Sequence, residues 1–332
     1  MKKKMIIYAI LIIFLLTGLF LVYSILKVRC LSAPSFAAVG ASGDTTINRL
    51  YDHVEHLSVK IGSRSVFEYE KLEEARRYIM AVLETLGYVP RVETYEYDGK
   101  PFGNIIVTIP GGARAGEIIL FGAHYDTVRG TPGADDNASA AAVLLELCRA
   151  LTDVSYDRTI KCVFFTLEEP PIFRSEFMGS DVYARRARRE GEDIRAMICL
   201  EMLGYYSDRK GGQGFPLPFM SLMYPATPNF IAVVGNLRAL RLVQRVRRAL
   251  ERGSAVPVET LTAVSMVPGV DLSDHRSFWQ RDYPAVMLTD TAFYRNPHYH
   301  TAGDTIEHVD FVTMADLLKG VIEVARDLAQ GE

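Results

Sequence analysis

The sequence predicts an α/β fold: a three-layer sandwich around a mixed, mostly parallel central sheet, preceded by an N-terminal transmembrane helix. Three observations predict it. From residue 68 onward, short apolar runs of strand length alternate with longer stretches of helical apolar spacing. An Asp98-Gly99 pair separates two adjacent strand-like runs, so part of the sheet should be an antiparallel hairpin. The third is an apolar run of 19 residues, Met5–Tyr23, broken only by Thr17 and Gly18.

That run is long enough to cross about 30 Å of hydrocarbon as a helix. Lys2, Lys3 and Lys4 precede it and should stay in the cytoplasm, leaving the bulk of the chain outside. Lys27 and Arg29 on the far side reduce the charge asymmetry, and Ser35-Phe36-Ala37-Ala38 offers a cleavage point for a secreted alternative. The organisation expected is a cytoplasmic tip and signal anchor over 1–26, a linker over 27–45 rich in Ala, Ser and Gly, and a folded domain over 46–332.

Within that domain, residues 68–86 place Leu72, Ala75, Tyr78, Ile79, Val82 and Leu83 at helical spacing and stop at Gly87, a C-terminal cap. Strands are expected at 91–97, 104–109 and 117–123. A helix at 138–151, a strand at 161–167, a helix at 180–189 and a strand at 196–200 follow. A basic amphipathic helix spans 237–252, a strand 285–289, and a final helix starts near Phe311. Residues 211–229, with Gly-Gly, four prolines and several aromatics, read as a long loop of the kind that often carries function.

Composition narrows the classes of partner. Hydrophobic residues make up 49% and charged residues 23% of the 332 residues, ordinary for a globular core. A net charge of −3 gives no footprint for nucleic acid. The four cysteines, Cys30, Cys148, Cys162 and Cys199, have no CxxC spacing, and Cys162 and Cys199 sit in apolar runs as buried thiols.

Polar residues mark the ends of the predicted strands. His124-Tyr125-Asp126 follows the apolar run 118–123, and Asp135-Asp136-Asn137 comes eleven residues after His124, before an Ala-rich helix. Glu168-Glu169 ends one strand, Glu201 ends another, and His300 lies just beyond the strand at 285–289. The C-terminal edge of an open α/β sheet is where ligands bind, and imidazole with carboxylate suits zinc. Singly, a His-x-Asp pair could be a surface hydrogen bond and Asp-Asp-Asn a helix cap. Adjacent carboxylates at the end of a buried strand repel without a cation, and five such positions recur in one structural setting. His53, His56 and His308 are read as surface or structural.

Six segments, in order, carry a resemblance: Gly-Ala-His-Tyr-Asp-Thr (122–127), Gly-Ala-Asp-Asp-Asn-Ala-Ser (133–139), Phe-Thr-Leu-Glu-Glu (165–169), Cys-Leu-Glu-Met-Leu-Gly (199–204), Ser-Asp-His-Arg-Ser-Phe (273–278) and Tyr-His-Thr-Ala-Gly-Asp-Thr (299–305). Together the chain resembles the co-catalytic di-zinc aminopeptidases, related to glutamate carboxypeptidase, transferrin receptor and glutaminyl cyclase. The resemblance implies two Zn²⁺ per chain held by His124, Asp135, Glu169, Glu201 and His300. Asp135 would bridge, His124 and Glu201 would complete one site, and Glu169 and His300 the other. Glu168 would be the general base acting on a metal-bridging water, Asp126 would orient the His124 ring, and Tyr299 would steady the oxyanion. The peptide between the two aspartates would be cis, and His275 and Phe278 would help shape the substrate pocket. Glu201 departs from the family, which usually has Asp there.

The activity implied is removal of N-terminal amino acids from peptides by a membrane-anchored metallo-aminopeptidase. Three rivals stand beside it: a single-zinc cyclase, a carboxypeptidase using Arg174, Arg276 or Arg295 to hold a C-terminal carboxylate, and a non-enzymatic ectodomain.

Overall fold

The structure is a computed structural model that describes residues 45–152 and 154–330. Among the described residues eight strands form one sheet: β1 (Arg91–Tyr97), β2 (Lys100–Ile109), β3 (Arg114–His124), β4 (Arg158–Phe165), β5 (Asp193–Glu201), β6 (Ile231–Gly235), β7 (Val258–Thr262) and β8 (Ala285–Thr289). Their order across the sheet is β1-β2-β4-β3-β5-β8-β6-β7. β4, β3, β5 and β8 run parallel to their neighbours within this central group, as do β6 and β7. β1/β2, β2/β4 and β6/β8 are antiparallel. The expected hairpin is present: Tyr97 pairs with Lys100, and Asp98 (φ 50°) and Gly99 (φ 70°) take the left-handed conformations that a two-residue hairpin loop requires.

Side chains on the central strands alternate between two cores. Ile119, Phe121 and Ala123 of β3 enter one, Ile118 and Leu120 the other; Ile160, Cys162 and Phe164 of β4 are likewise separated from Val163 and Phe165. Burial on both faces explains why these strands read as continuous apolar runs. The helices are α1 (Thr45–Glu55), α2 (Tyr69–Thr85), α3 (Ala140–Ala150), α4 (Gly179–Glu190), α5 (Leu240–Gly253), α6 (His275–Trp279) and α7 (Phe311–Gln330). α1, α2, α3, α5 and α7 contribute to the first core, α4 and α6 to the second, giving three layers.

α3 is buried from Ala140 to Cys148, including Glu146. Burial opposes the charge on Glu146, but His53, Arg49 and Arg149 hold its pKa down at about 2. Arg49 Nε lies 2.6 Å and Arg149 Nε 2.9 Å from that carboxylate. His53, also bonded to the Tyr78 hydroxyl at 2.7 Å, is therefore structural.

Four elements were not foreseen. α1 buries only Leu50, His53 and Val54, too thin an apolar stripe to stand out. β6 and β7 have five residues each, and α6 is a single short helix. The basic helix begins at Leu240, after a 3₁₀ turn at Leu237–Ala239 that Asn236 caps by accepting the Ala239 N–H at 3.0 Å. The loop expected over 211–229 is one, with a short 3₁₀ turn at Pro218–Leu222. The expected anchor over 1–26 lies outside the described residues. Among the described residues no helix is long and apolar enough to cross a membrane.

Candidate metal centre

Because β4, β3, β5 and β8 are contiguous and parallel, their C-terminal ends open on one edge, and the chemistry gathers there. His124 ends β3, Glu201 ends β5, and Glu168 and Glu169 lie just past β4. His300 comes from the loop after β8, and Asp136 from the turn leading into α3. Oδ1 of Asp136 is 3.4 Å from His124 Nε2, while Oδ2 is 3.2 Å from His300 Nε2. Glu201 Oε2 approaches His124 Nε2 at 3.5 Å, and Glu169 Oε2 approaches His300 Nε2 at 3.2 Å. Glu168 Oε2 stands 3.9 Å from His124 Nε2, and the Tyr299 ring stacks on His300 at 3.7 Å between centroids.

One expected ligand is displaced by a single residue. Asp135 is buried but points away: Oδ1 accepts the Gly204 N–H at 2.9 Å and Oδ2 the Asn296 amide at 2.8 Å. Burial and the neighbouring Asp290 push its pKa well up. Asp136 is the aspartate that faces both histidines. The cis peptide likewise lies between Asp136 and Asn137, not between the two aspartates.

Asp126 lies beside the His124 ring. Its carboxylate is 3.6 Å from His124 Nδ1, too long for a hydrogen bond. Its two oxygens accept the backbone N–H groups of Glu168 at 3.1 Å and Glu169 at 3.0 Å. It fixes the backbone that carries both glutamates. Two unforeseen residues act in the same way. Asp304 accepts the N–H groups of Asp135 and Asp136, both at 3.0 Å. Asn137 donates to Leu200 O at 3.1 Å and accepts from Met202 N at 2.9 Å, gripping the chain on either side of Glu201. The Ser273 hydroxyl donates to Glu201 itself at 2.5 Å.

The electrostatics describe a site built for cations. Burial disfavours a charge on His124, yet Glu201, Glu168, Asp126 and Asp136 outweigh it and hold the ring well above its ordinary pKa. Burial also works against the charge on His300, which Asp136 and Glu169 nevertheless raise to about 10. Burial, then Asp136, push Glu169 up to about 8, with His300 pulling the other way. Burial pushes Glu168 well up, opposed by His124 and reinforced by Glu169 and Glu201. The residues fit a metal: His124, Asp136 and Glu169 offer ligand atoms all within 4.8 Å of one another. Both ring nitrogens of His124, Oδ1 of Asp136 and Oε1 of Glu169 are buried without a hydrogen-bond partner. Nitrogen and oxygen donors in this mixture suit zinc.

The cleft over this cluster is lined by Asp136, Glu168, Glu169, Glu201, Tyr299 and His300, with Phe173 and Leu272. Glu201, Leu272 and Tyr299 also border a second, mainly apolar pocket walled by residues such as Phe215, Met220, Tyr224 and Phe293. Its lining includes the carboxylates of Glu201 and Glu259 and no Lys or Arg among the described residues. His275 and Phe278, expected near the substrate, are both buried, Phe278 in the second core, and border neither cavity. Arg174 and Arg276 both pair with Asp271, and Arg295 is buried.

The chain is 39% identical over 277 residues to an uncharacterized Escherichia coli (strain K12) protein, YfbL, covering 81% of this chain and 84% of that one. It is 27% identical over 253 residues to a probable leucine aminopeptidase of Arthroderma otae, covering 72% of this chain but 60% of the relative's length. Among solved structures, the zinc aminopeptidase BSAP of Bacillus subtilis matches with a TM-score of 0.68 at 15% identity, over 86% of this chain and 95% of that one. A Bacteroides thetaiotaomicron glutaminyl cyclase matches with a TM-score of 0.63 at 19% identity, over 88% and 98%. At these identities the structural matches establish a shared fold. Residues 104–325 match peptidase family M28, and the chain belongs to that family.

Proposed function

We propose that this M28 peptidase is a di-zinc aminopeptidase that removes large apolar residues from the N-termini of peptides. The observation that carries the reading is the position of Asp136, whose two oxygens face His124 on one side and His300 on the other. Such a carboxylate suits two ions: His124 and Glu201 would hold one, Glu169 and His300 the other. The longer Glu201 side chain, where the family usually has Asp, is braced by Ser273.

Zinc, when bound, supplies Lewis-acid polarisation and lowers the pKa of water. Glu168 lines the cleft without belonging to either ligand pair, so it takes the proton of the attacking water and delivers it to the leaving amine. The Tyr299 hydroxyl donates to the developing oxyanion. Glu201 and Tyr299 border both cavities, so a side chain seated in the apolar pocket puts its own carbonyl over the cluster. The carboxylate-rich cleft favours a cationic α-amine. A carboxypeptidase would want a Lys or Arg there, and neither lines either cavity among the described residues.

The catalytic domain is further proposed to stand outside the cell on the 1–26 anchor, a reading supported by Lys2–Lys4 and the apolar run behind them. Zinc analysis and turnover on one preparation of residues 45–332 test the chemistry. Near two zinc ions per chain, chelator sensitivity, and cleavage of leucyl but not N-acetyl-leucyl substrates are expected. One ion in the fully active protein would favour a cyclase.

A further inference from the structure

Arg295 is 5% exposed and borders neither the cleft nor the pocket, yet its Nε and Nη1 reach both ends and the middle of one segment of chain, while Nη2 has no partner among the described residues. Nη1 donates to Phe230 O at 2.9 Å and reaches Tyr205 O at 3.4 Å. Those carbonyls flank the segment 206–229, which supplies Phe215, Pro216, Met220 and Tyr224 to the apolar pocket. Nε donates to the Gln213 side-chain oxygen at 3.0 Å, inside the segment, and to Thr291 Oγ1 at 3.1 Å, just past β8. Gln213 returns its amide to Thr291 Oγ1 at 2.9 Å and to Gly214 O at 2.8 Å. The guanidinium also lies over the Phe230 ring, 4.5 Å from its centroid. Burial lowers its pKa, and Asp290 is the main charge supporting it.

We infer that Arg295 is a positioning residue for substrate selection: it clamps both ends and the middle of the 206–229 segment, fixing the aromatic wall against which a large N-terminal side chain packs. The inference rests on the aminopeptidase reading for its kinetic consequence, but the clamp is a property of the chain alone. Arg is suited to the task because its planar fork serves several acceptors at once, where a lysine offers a point charge on a flexible stem. Without the guanidinium, buried oxygens lose their donor and the wall recedes. A leucyl or phenylalanyl side chain then loses contact area, whereas an alanyl side chain has little to lose.

The test compares wild type, Arg295→Met, Arg295→Lys and Gln213→Ala in the zinc-loaded protein. Hydrogen–deuterium exchange reads the clamp directly: exchange in 206–229 should quicken at least about tenfold in Arg295→Met, one decade being about 1.4 kcal/mol, and zinc content should not change. With leucyl and phenylalanyl p-nitroanilides, kcat/KM should fall about 10–100-fold through KM, and with the alanyl substrate by less than about threefold. Arg295→Lys should recover part of that loss. Gln213→Ala, which leaves Arg295 in place, should shift exchange in the same direction and guards against simple misfolding of the arginine variants. Unchanged exchange in 206–229, or equal losses for all three substrates, overturns the inference. A wild type that cleaves no aminoacyl substrate overturns the aminopeptidase reading instead, and the exchange result still decides the clamp.

Discussion

The side-chain amide of Asn296 donates to Asp135 at 2.8 Å, and this bond, with the Gly204 N–H on the other oxygen, turns Asp135 out of the metal cluster. Asp136, with no such partners on Oδ1, is left to face the histidines. The two neighbours should therefore separate by mutation. Asp136→Asn should lose most of its zinc and fall to background turnover. Asp135→Asn should keep its zinc but lose about 1–3 kcal/mol of stability, because one of its two buried donors then faces an amide N–H in place of an acceptor. Metal content and urea unfolding on both variants check this, and zinc loss confined to Asp135→Asn would reverse the assignment.

Glu168 and Glu169 should fail for different reasons. Glu168→Gln keeps the shape and removes the base, so turnover should drop about 10²–10⁴-fold with zinc retained. Glu169→Gln should lose zinc, since a neutral amide is a poor substitute for a carboxylate ligand. Near-normal turnover in Glu168→Gln would remove it from the mechanism.

His275 predicts a pH-dependent component of stability. Burial lowers its pKa to about 4, and Nε2 lies 2.8 Å from Val270 O. The unfolded chain binds a proton near pH 6.5, the folded chain only near 4, so protonation favours unfolding. The contribution is complete above about pH 6.5 and is lost as pH falls toward 4, on the order of 3 kcal/mol in all. Urea unfolding of wild type and His275→Gln at pH 7 and pH 4.5 should give a shallower acid loss in the variant. Parallel losses would show that His275 does not carry it.

Topology is tested in cells. With full-length protein, protease added outside should remove the catalytic domain, and the domain should sediment with membranes before treatment. Survival of the domain in intact cells, in a form that is protease-sensitive after lysis, would place it on the cytoplasmic side.

The α/β layering and the gathering of chemistry at one sheet edge were legible because they rest on local signals. Apolar strand runs end at His124, Glu168-Glu169 and Glu201, and a run's end is visible without the fold. The choice between Asp135 and Asp136 was not legible, because it is made by Asn296, 161 positions away in the chain. Asp304 and Asn137 escaped for the same reason: each acts on backbone of a distant element. Arg295 was visible as a charge, but its burial among carbonyls of 205 and 230 is a tertiary fact. β7 is partly exposed along its whole length, so no buried apolar run marked it.

Asp126, Asp304 and Asn137 anchor the centre through main-chain amides and carbonyls, bonds that do not depend on any ion. The ligands are thus held in place by the scaffold, unlike a zinc finger that folds only around its metal. Protons can stand in for what is removed, since burial and Asp136 push Glu169 up to about 8, and Asp136 and Glu169, against burial, raise His300 to about 10. Stripping the centre should then be an exchange of zinc for protons within a standing framework, so that an emptied enzyme recharges on contact with metal, without a chaperone and without refolding.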